Sequence, residues 1–375
     1  MPAPTTPVPV VPEYDGACLT GVIPGILVSR PGDRPGWFPA PVQSAQRVVL
    51  LVIDGLGWQQ IEQHRAQLPN LAAMAGGPIT TVAPSTTATA LTSLVTGAAP
   101  LQHGILGYRI DMGGVVMNTL SWSGHAKGER RRDLRTAFPP RSVQPVPSFC
   151  GQNVPVITRA EHADTGFTEA HLGRSTFRGW RSASSIAVEI RAALDAGHDF
   201  VYAYYDGVDK IAHERGFGAH YDAELQATDR LVGDVLDSVP TGVTVAVVAD
   251  HGQVHTGDDL VDLDADVLAL IDHQSGEGRF RWLHAREGRV DDLVSAVERY
   301  STIAWVVTRA RLIDEEWFGR PGDPSFLRRL GDVALLPFGT ASFEDPDDTG
   351  AFPLVCRHGS LTEAEMRVPF LAVTV

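Results

Sequence analysis

The stretch VVLLVIDGLG, residues 48–57, decides the architecture. Six apolar residues run without interruption into Asp54 and a Gly-Leu-Gly turn. Alternation would mark a strand with one wet face, whereas an unbroken, β-branched run suits a strand covered on both faces of a mainly parallel sheet. FVYAYYD (200–206) and VTVAVVAD (243–250) have the same form, and each ends on an acid. Segments of helical character lie among them at 89–96, 184–196 and 223–238; in the last, Leu225, Leu231, Val232 and Val235 recur at near-helical spacing. The alternation predicts an α/β fold with a mainly parallel central sheet. Ligands of such sheets bind beyond the carboxyl ends of the strands, which places Asp54, Asp206, Asp209 and Asp250 around one crevice.

With 375 residues, 43% apolar and 20% charged, the chain has the balance of a globular protein with a sizeable core. We expect an extended, Pro-stiffened arm over 1–40 and one catalytic domain over 41–375. The domain would carry insertions near 110–181 and 261–347, the latter with a helix at 290–300. A net charge of −14 repels nucleic-acid duplexes and anionic lipid, so a phosphate-bearing substrate needs local cations. Cys18, Cys150 and Cys356 form neither a C-x-x-C pair nor a disulfide framework; reduced thiols in a cytoplasmic protein are expected. No apolar run approaches the roughly 20 residues that span a bilayer, and the N-terminus lacks the pattern of a secretory signal. Oligomeric state leaves no mark in the sequence.

Five segments carry chemistry. Asp54 closes the first apolar run. PSTTATALTSLVTG (84–97) puts hydroxyls at a helix N-terminus, where N–H groups and the dipole favour an anion; this pattern is also an ordinary N-cap. A threonine alkoxide held there by a divalent cation would be a nucleophile. In YYDGVDKIAHERG (204–216), Asp209 and His213 stand four apart, so one helical turn sets carboxylate and imidazole on one face. ADHGQVHT (249–256) brings Asp250 and His251 out of a very apolar strand, where burial is costly unless they pair or bind metal. CRHGSLTEAEMRVPFLAVTV (356–375) adds His358 before a final strand. His255 and Cys356 stand as alternative ligands. The conjunction is far more specific than any member, and suffices for two cations that share an in-line displacement.

In five ordered blocks the sequence resembles the nucleotide pyrophosphatase/phosphodiesterase branch of the alkaline phosphatase superfamily. The blocks are VVLLVIDGLG, PSTTATALTSLVTG continued by LQHGILGY, the D-x-x-x-H of Asp209 and His213, VVADHG, and RHGSLTEAEMRVP. The resemblance implies an alkaline-phosphatase-like three-layer sandwich with inserted cap segments. It implies two divalent ions, zinc first with manganese and iron as alternatives. One ion would be held by Asp54, Thr87, Asp250 and His251, the other by Asp209, His213 and His358. Thr87 rather than Thr86 is the implied nucleophile, by register, acting through a phosphothreonine. The substrate would be a small phosphoester such as a nucleotide, cleaved as a diester; monoester hydrolysis, or a catalytically weak metal-binding relative, are the alternatives.

The chain departs from the family pattern at two places. Ala88, Thr89, Ala90 and Leu91 replace a Phe-Pro-Asn-His stretch, and Tyr108 stands where an asparagine holds a phosphoryl oxygen, a task its phenol can share. Trp122 and Trp180 are candidates to stack a base. No C/S-x-P-x-R signature of sulfatases lies near Thr87. The closing EMRVP also resembles cofactor-independent phosphoglycerate mutases, which use a serine nucleophile and manganese.

Overall fold

The computed structural model describes residues 6–126, 130–348 and 353–375. Its centre is a 7-stranded sheet. In chain order the strands are β1 (Arg47–Ile53), β2 (Ala75–Thr80), β3 (Pro155–Arg159), β4 (Thr176–Trp180), β5 (Phe200–Tyr205), β6 (Val243–Val248) and β7 (Arg367–Thr374). The spatial order is β2-β7-β6-β1-β5-β3-β4. β1 pairs parallel to β5 and β6, and β3 parallel to β4 and β5. β7 runs antiparallel to β6 and β2. Every residue of Val48–Ile53 and Val243–Val248 is buried, although alternate side chains point to opposite faces. The three apolar runs are therefore the sheet's middle, covered on both sides. Each such Val, Leu or Ile contributes about 1.5–3 kcal/mol by leaving water.

Two helices bear on the crevice, α1 (Thr87–Thr96) and α2 (Gly207–Arg215), and α3 (Ala219–Ser238) packs against α2. The expected helix at 184–196 forms over Ile186–Asp195, and that at 290–300 over Val290–Val297 with a 3-10 continuation. No helix among the described residues is long and apolar enough to cross a membrane.

Two boundaries differ from the sequence reading. The arm over 1–40 is not extended throughout: Leu19–Gly21 and Val22–Leu27 are helical, and Cys18, Leu19, Val22 and Ile23 are fully buried. Pro24 falls in the first turn of that helix, where a missing N–H costs nothing, and it packs close against Gly97 at the end of α1. The insertion expected over 110–181 ends early. Its own antiparallel sheet uses Arg109–Asp111, Val115–Asn118, Ser123–Ala126 and Arg132–Asp133. PVITR and TFRGW then join the central sheet as β3 and β4. β4 is the sheet's edge and mostly wet, so no continuous apolar run announces it. The second insertion builds a 4-stranded sheet from Ile271–Glu277, Phe280–Ala285, Val333–Pro337 and Ala304–Thr308. It has a separate core that includes Val267, Leu283, Leu293, Val297, Leu335 and Phe343.

Candidate active site

The ends of β1, β5 and β6 deliver the acids, and glycines let the turns close. Gly55 has φ +71°, and a Cβ there would stand 2.3 Å from Gln253 Nε2 and 3.0 Å from Asp209 Cβ. A side chain at 55 would thus push α2, with Asp209, away from Asp54. At Gly252 a Cβ would stand 2.0 Å from the Ala364 carbonyl oxygen, so the Asp-His-Gly turn and the C-terminal block require each other.

Asp54, Asp250 and His251 form one buried group of potential metal donors, and Asp209, His251 and His358 a second. His213 joins through Asp209, its Nε2 3.2 Å from Oδ1. The rings of His251 and His358 stack at 3.5 Å and 10°, so the two groups share a wall. Thr87, at the start of α1, sets Oγ1 3.0 Å from His251 Nε2. Thr86 is the N-cap and makes no side-chain cap bond.

The donors are held from behind. His358 Nδ1 donates to the Ser85 carbonyl at 2.8 Å and His213 Nδ1 to that of Cys356 at 2.6 Å. The free Nε2 of each ring is thereby aimed at Asp209. Gly55 N–H donates to Asp250 Oδ1 at 3.1 Å, Gln253 Nε2 to Asp209 Oδ1 at 2.9 Å, and the Tyr204 hydroxyl to Asp54 Oδ2. Tyr204 and Gln253 are functional partners the sequence reading did not name.

Electrostatics expose the strain of this packing. Burial, then the Asp250 and Asp209 carboxylates, push Asp54 well above the usual carboxylate range. Burial raises Asp250 as well, against the opposing pull of His251. Burial alone would lower His251, but Asp250 and Asp54 outweigh it and lift the imidazole to about 10. Burial and the neighbouring His251 drive His358 far down. Asp54 Oδ1 and Asp250 Oδ2 are buried without a hydrogen-bond partner. His251 Nε2 stands 3.3 Å from the first and 3.4 Å from the second. Those gaps exceed an ordinary hydrogen bond and match the roughly 3.4 Å edge of a tetrahedron with metal–ligand bonds of about 2.0–2.1 Å. Orphaned anionic oxygens at that spacing fit divalent cations.

The remaining candidates lie elsewhere. Asp206 ends its strand but is held by Arg159 at 3.1 Å and Lys210 at 2.5 Å, outside both donor groups. His255 is exposed, and Cys356 is buried 4.0 Å from its Nδ1; neither enters the centre. Tyr108 sends its backbone N–H to Glu277 Oε2 at 3.0 Å, and its hydroxyl sits by Asn118; among the described contacts none links the ring to Thr87. Trp122 and Trp180 are 0% and 4% exposed, so neither presents a face for stacking a base. Trp122 donates to the Phe138 carbonyl and Trp180 to that of Tyr204. Beside Asp54 and Thr87 opens a cavity of about 220 Å³, walled by Leu91, Phe167 and Tyr202 and reached by His162 and Lys210.

The family model for type I phosphodiesterase / nucleotide pyrophosphatase matches residues 48–360. The chain belongs to that family. Among solved structures, this phosphodiesterase-family chain is similar to murine ectonucleotide pyrophosphatase / phosphodiesterase 5. The TM-score is 0.62 and the identity 16%, over 87% of this chain and 88% of that one. The human counterpart gives 0.64 at 14% identity, with 87% of each chain covered. Phosphonoacetate hydrolase from Sinorhizobium meliloti 1021, in complex with phosphonoformate, gives 0.63 at 16% identity, with 92% of each chain covered. At such identities the likeness speaks for the alkaline-phosphatase-like fold. A search of curated proteins finds no match.

Proposed function

We propose that this protein is a two-metal phosphodiesterase that works through a phosphothreonine on Thr87. The observation that carries the reading is the position of Thr87 Oγ1, 3.0 Å from the imidazole shared by both donor groups and at the first turn of a helix. Asp54, Asp250, His251 and Thr87 would hold one cation, and Asp209, His213 and His358 the other. Bound there, zinc-class ions neutralise the crowded carboxylates and polarise a phosphoester.

The chain's own groups define the steps. Thr87 gives up its hydroxyl proton as Oγ1 attacks phosphorus, forming a P–O bond as the bond to the leaving oxygen breaks, and the leaving oxygen takes up a proton in turn. The first-turn N–H groups of α1 have no partner within the helix and face charge on the equatorial oxygens. Water then cleaves the phosphothreonine and restores the hydroxyl. The cavity beside Thr87 suits the leaving group: apolar walls for a ring, with Lys210 and His162 for a polar edge. A nucleotide substrate is supported by the murine neighbour solved as an inactive T72A form in complex with AMP.

The test compares bis-p-nitrophenyl phosphate with p-nitrophenyl phosphate, with and without chelator, for the parent and Thr87→Ala. We expect faster turnover of the diester, loss with chelator, and a fall of at least about a thousandfold in the variant. Turnover that survives both chelator and substitution would falsify the mechanism. A strong preference for the monoester would replace diesterase by phosphatase and leave the two-metal reading standing.

A further inference from the structure

Asp111, His273 and His284 meet away from the strand-end centre, where the two insertions touch. Asp111 ends the first strand of the first insertion; His273 and His284 face each other on the first two strands of the second. The three offer donor atoms all within 4.8 Å of one another. Their setting has the marks of a built site. The two imidazoles stack at 4.0 Å and 15°. His273 Nδ1 is turned to Asp272 Oδ2 at 3.2 Å, which leaves its Nε2 buried, without a hydrogen bond, and 3.6 Å from Asp111 Oδ1. That distance is too long for a hydrogen bond and close to the edge of a zinc tetrahedron, roughly 3.4 Å. His284 Nε2 is fixed by the Ser275 hydroxyl at 2.8 Å, so Nδ1 remains for a ligand. Asp111 Oδ1 is steadied by the Gly114 N–H at 2.7 Å. Each of the three side chains thus has a second partner that orients it, as ligating imidazoles and carboxylates characteristically do.

We propose that Asp111, His273 and His284 bind a structural zinc ion, with water as fourth ligand, that clamps the first insertion onto the second. Two imidazoles and one carboxylate are a zinc-class donor set rather than a magnesium or calcium one. The clamp holds a pair of strands, and the one from the second insertion ends beside the strand-end centre, where a Cβ on Gly359, next to His358, would stand 2.9 Å from Glu277 Cγ. Asp111 is three residues from Tyr108 and His273 four from Glu277, about 10 and 13 Å along extended chain. The Tyr108 N–H to Glu277 bond joins the same two strands at that end.

The test reads metal, not turnover. Full-length protein is saturated with zinc, passed over a desalting column, and its metal content compared with that of His273→Gln and Asp111→Asn. Crystals of the parent are measured on both sides of the zinc absorption edge. We expect each variant to hold one equivalent fewer than the parent, and an anomalous peak bounded by residues 111, 273 and 284. Because the count is a difference, it does not depend on how many ions the strand-end centre holds. His273 is partly exposed, so its replacement spares the core. An unchanged count in His273→Gln, or anomalous density confined to the strand-end centre, overturns the proposal.

Discussion

The strand-end centre and the cluster between the insertions use the same donors in opposite ways. At the strand ends the donors come in sequence-local pairs, Asp250 with His251 and Asp209 with His213. Asp250 and His251, both 0% exposed, sit on a turn that Gly252 lets close, and Asp209 and His213 sit on α2, packed against Gly55. Between the insertions, Asp111, His273 and His284 are single residues from three strands, and the His273 side chain keeps 18% of its exposure. A crowded set of charges beside a cavity suits the chemistry proposed for it, whereas three donors drawn from two sheets suit a clamp. The contrast also teaches what a sequence can announce. Paired donors after a buried strand leave a motif, whereas donors that meet by tertiary packing leave none.

The largest effect should come from the link between these regions. Arg279, in the turn of the second insertion's hairpin, makes a two-pronged pair with Glu365 of the C-terminal block, at 3.1 and 2.7 Å, and both side chains are 0% exposed. Glu365 also accepts from the Ser360 N–H at 3.0 Å, two residues beyond His358. Glu365→Gln leaves the guanidinium buried and uncompensated. We expect a loss of about 3–5 kcal/mol in urea unfolding. A loss below about 1 kcal/mol would mean that the two regions are held together by other contacts.

Which parts were legible follows from burial. β1, β5 and β6 stood out because both faces are covered, so each residue had to be apolar. β4 did not, because it is an edge and mostly wet, and β3, though buried, is a short PVITR in which only Val156 and Ile157 form an apolar run. The seven proposed ligands were readable because six adjoin a strand end or helix start and His213 follows Asp209 by one helical turn. Tyr204 was not, although a signal existed. β5 pairs in parallel with β1, opposing Tyr204 to Val52, so its face is the one from which Asp54 emerges two residues later. Recognising that requires the register, which a single sequence does not contain. The Arg279–Glu365 pair and the second insertion's own core joined segments far apart in the chain and had no local pattern to betray them.

A middle-sized effect is expected at Tyr204, which orients Asp54 as Asp272 orients His273. Tyr204→Phe keeps the ring and removes the one donor. Zinc affinity at the strand-end centre, or diesterase kcat/KM, should fall about ten- to a hundredfold with unfolding stability little changed. An unaltered affinity and rate would show that Asp54 is positioned by the turn alone.

The smallest effect concerns a buried imidazole that belongs to neither cluster. His103 is 0% exposed, accepts the Ile105 N–H on Nδ1 at 3.1 Å, and therefore donates from Nε2 to Ser93 Oγ at 2.8 Å. Burial, helped by the Arg329 cation, lowers it to about 3, whereas burial among carboxylates leaves His251 at about 10. The unfolded chain would take up this proton near the ordinary value of 6.5, while the folded chain resists it down to about 3. His103 therefore adds stability that is fully present above pH about 6.5. That stability drains as pH falls toward 3, by up to about 1.4 kcal/mol per pH unit. His103→Gln cannot take the proton, so its urea midpoint should fall less between pH about 7 and about 5 than that of the parent. Equal slopes in parent and variant would show that His103 takes up its proton in the folded chain near the ordinary 6.5, and that burial does not set the two imidazoles apart.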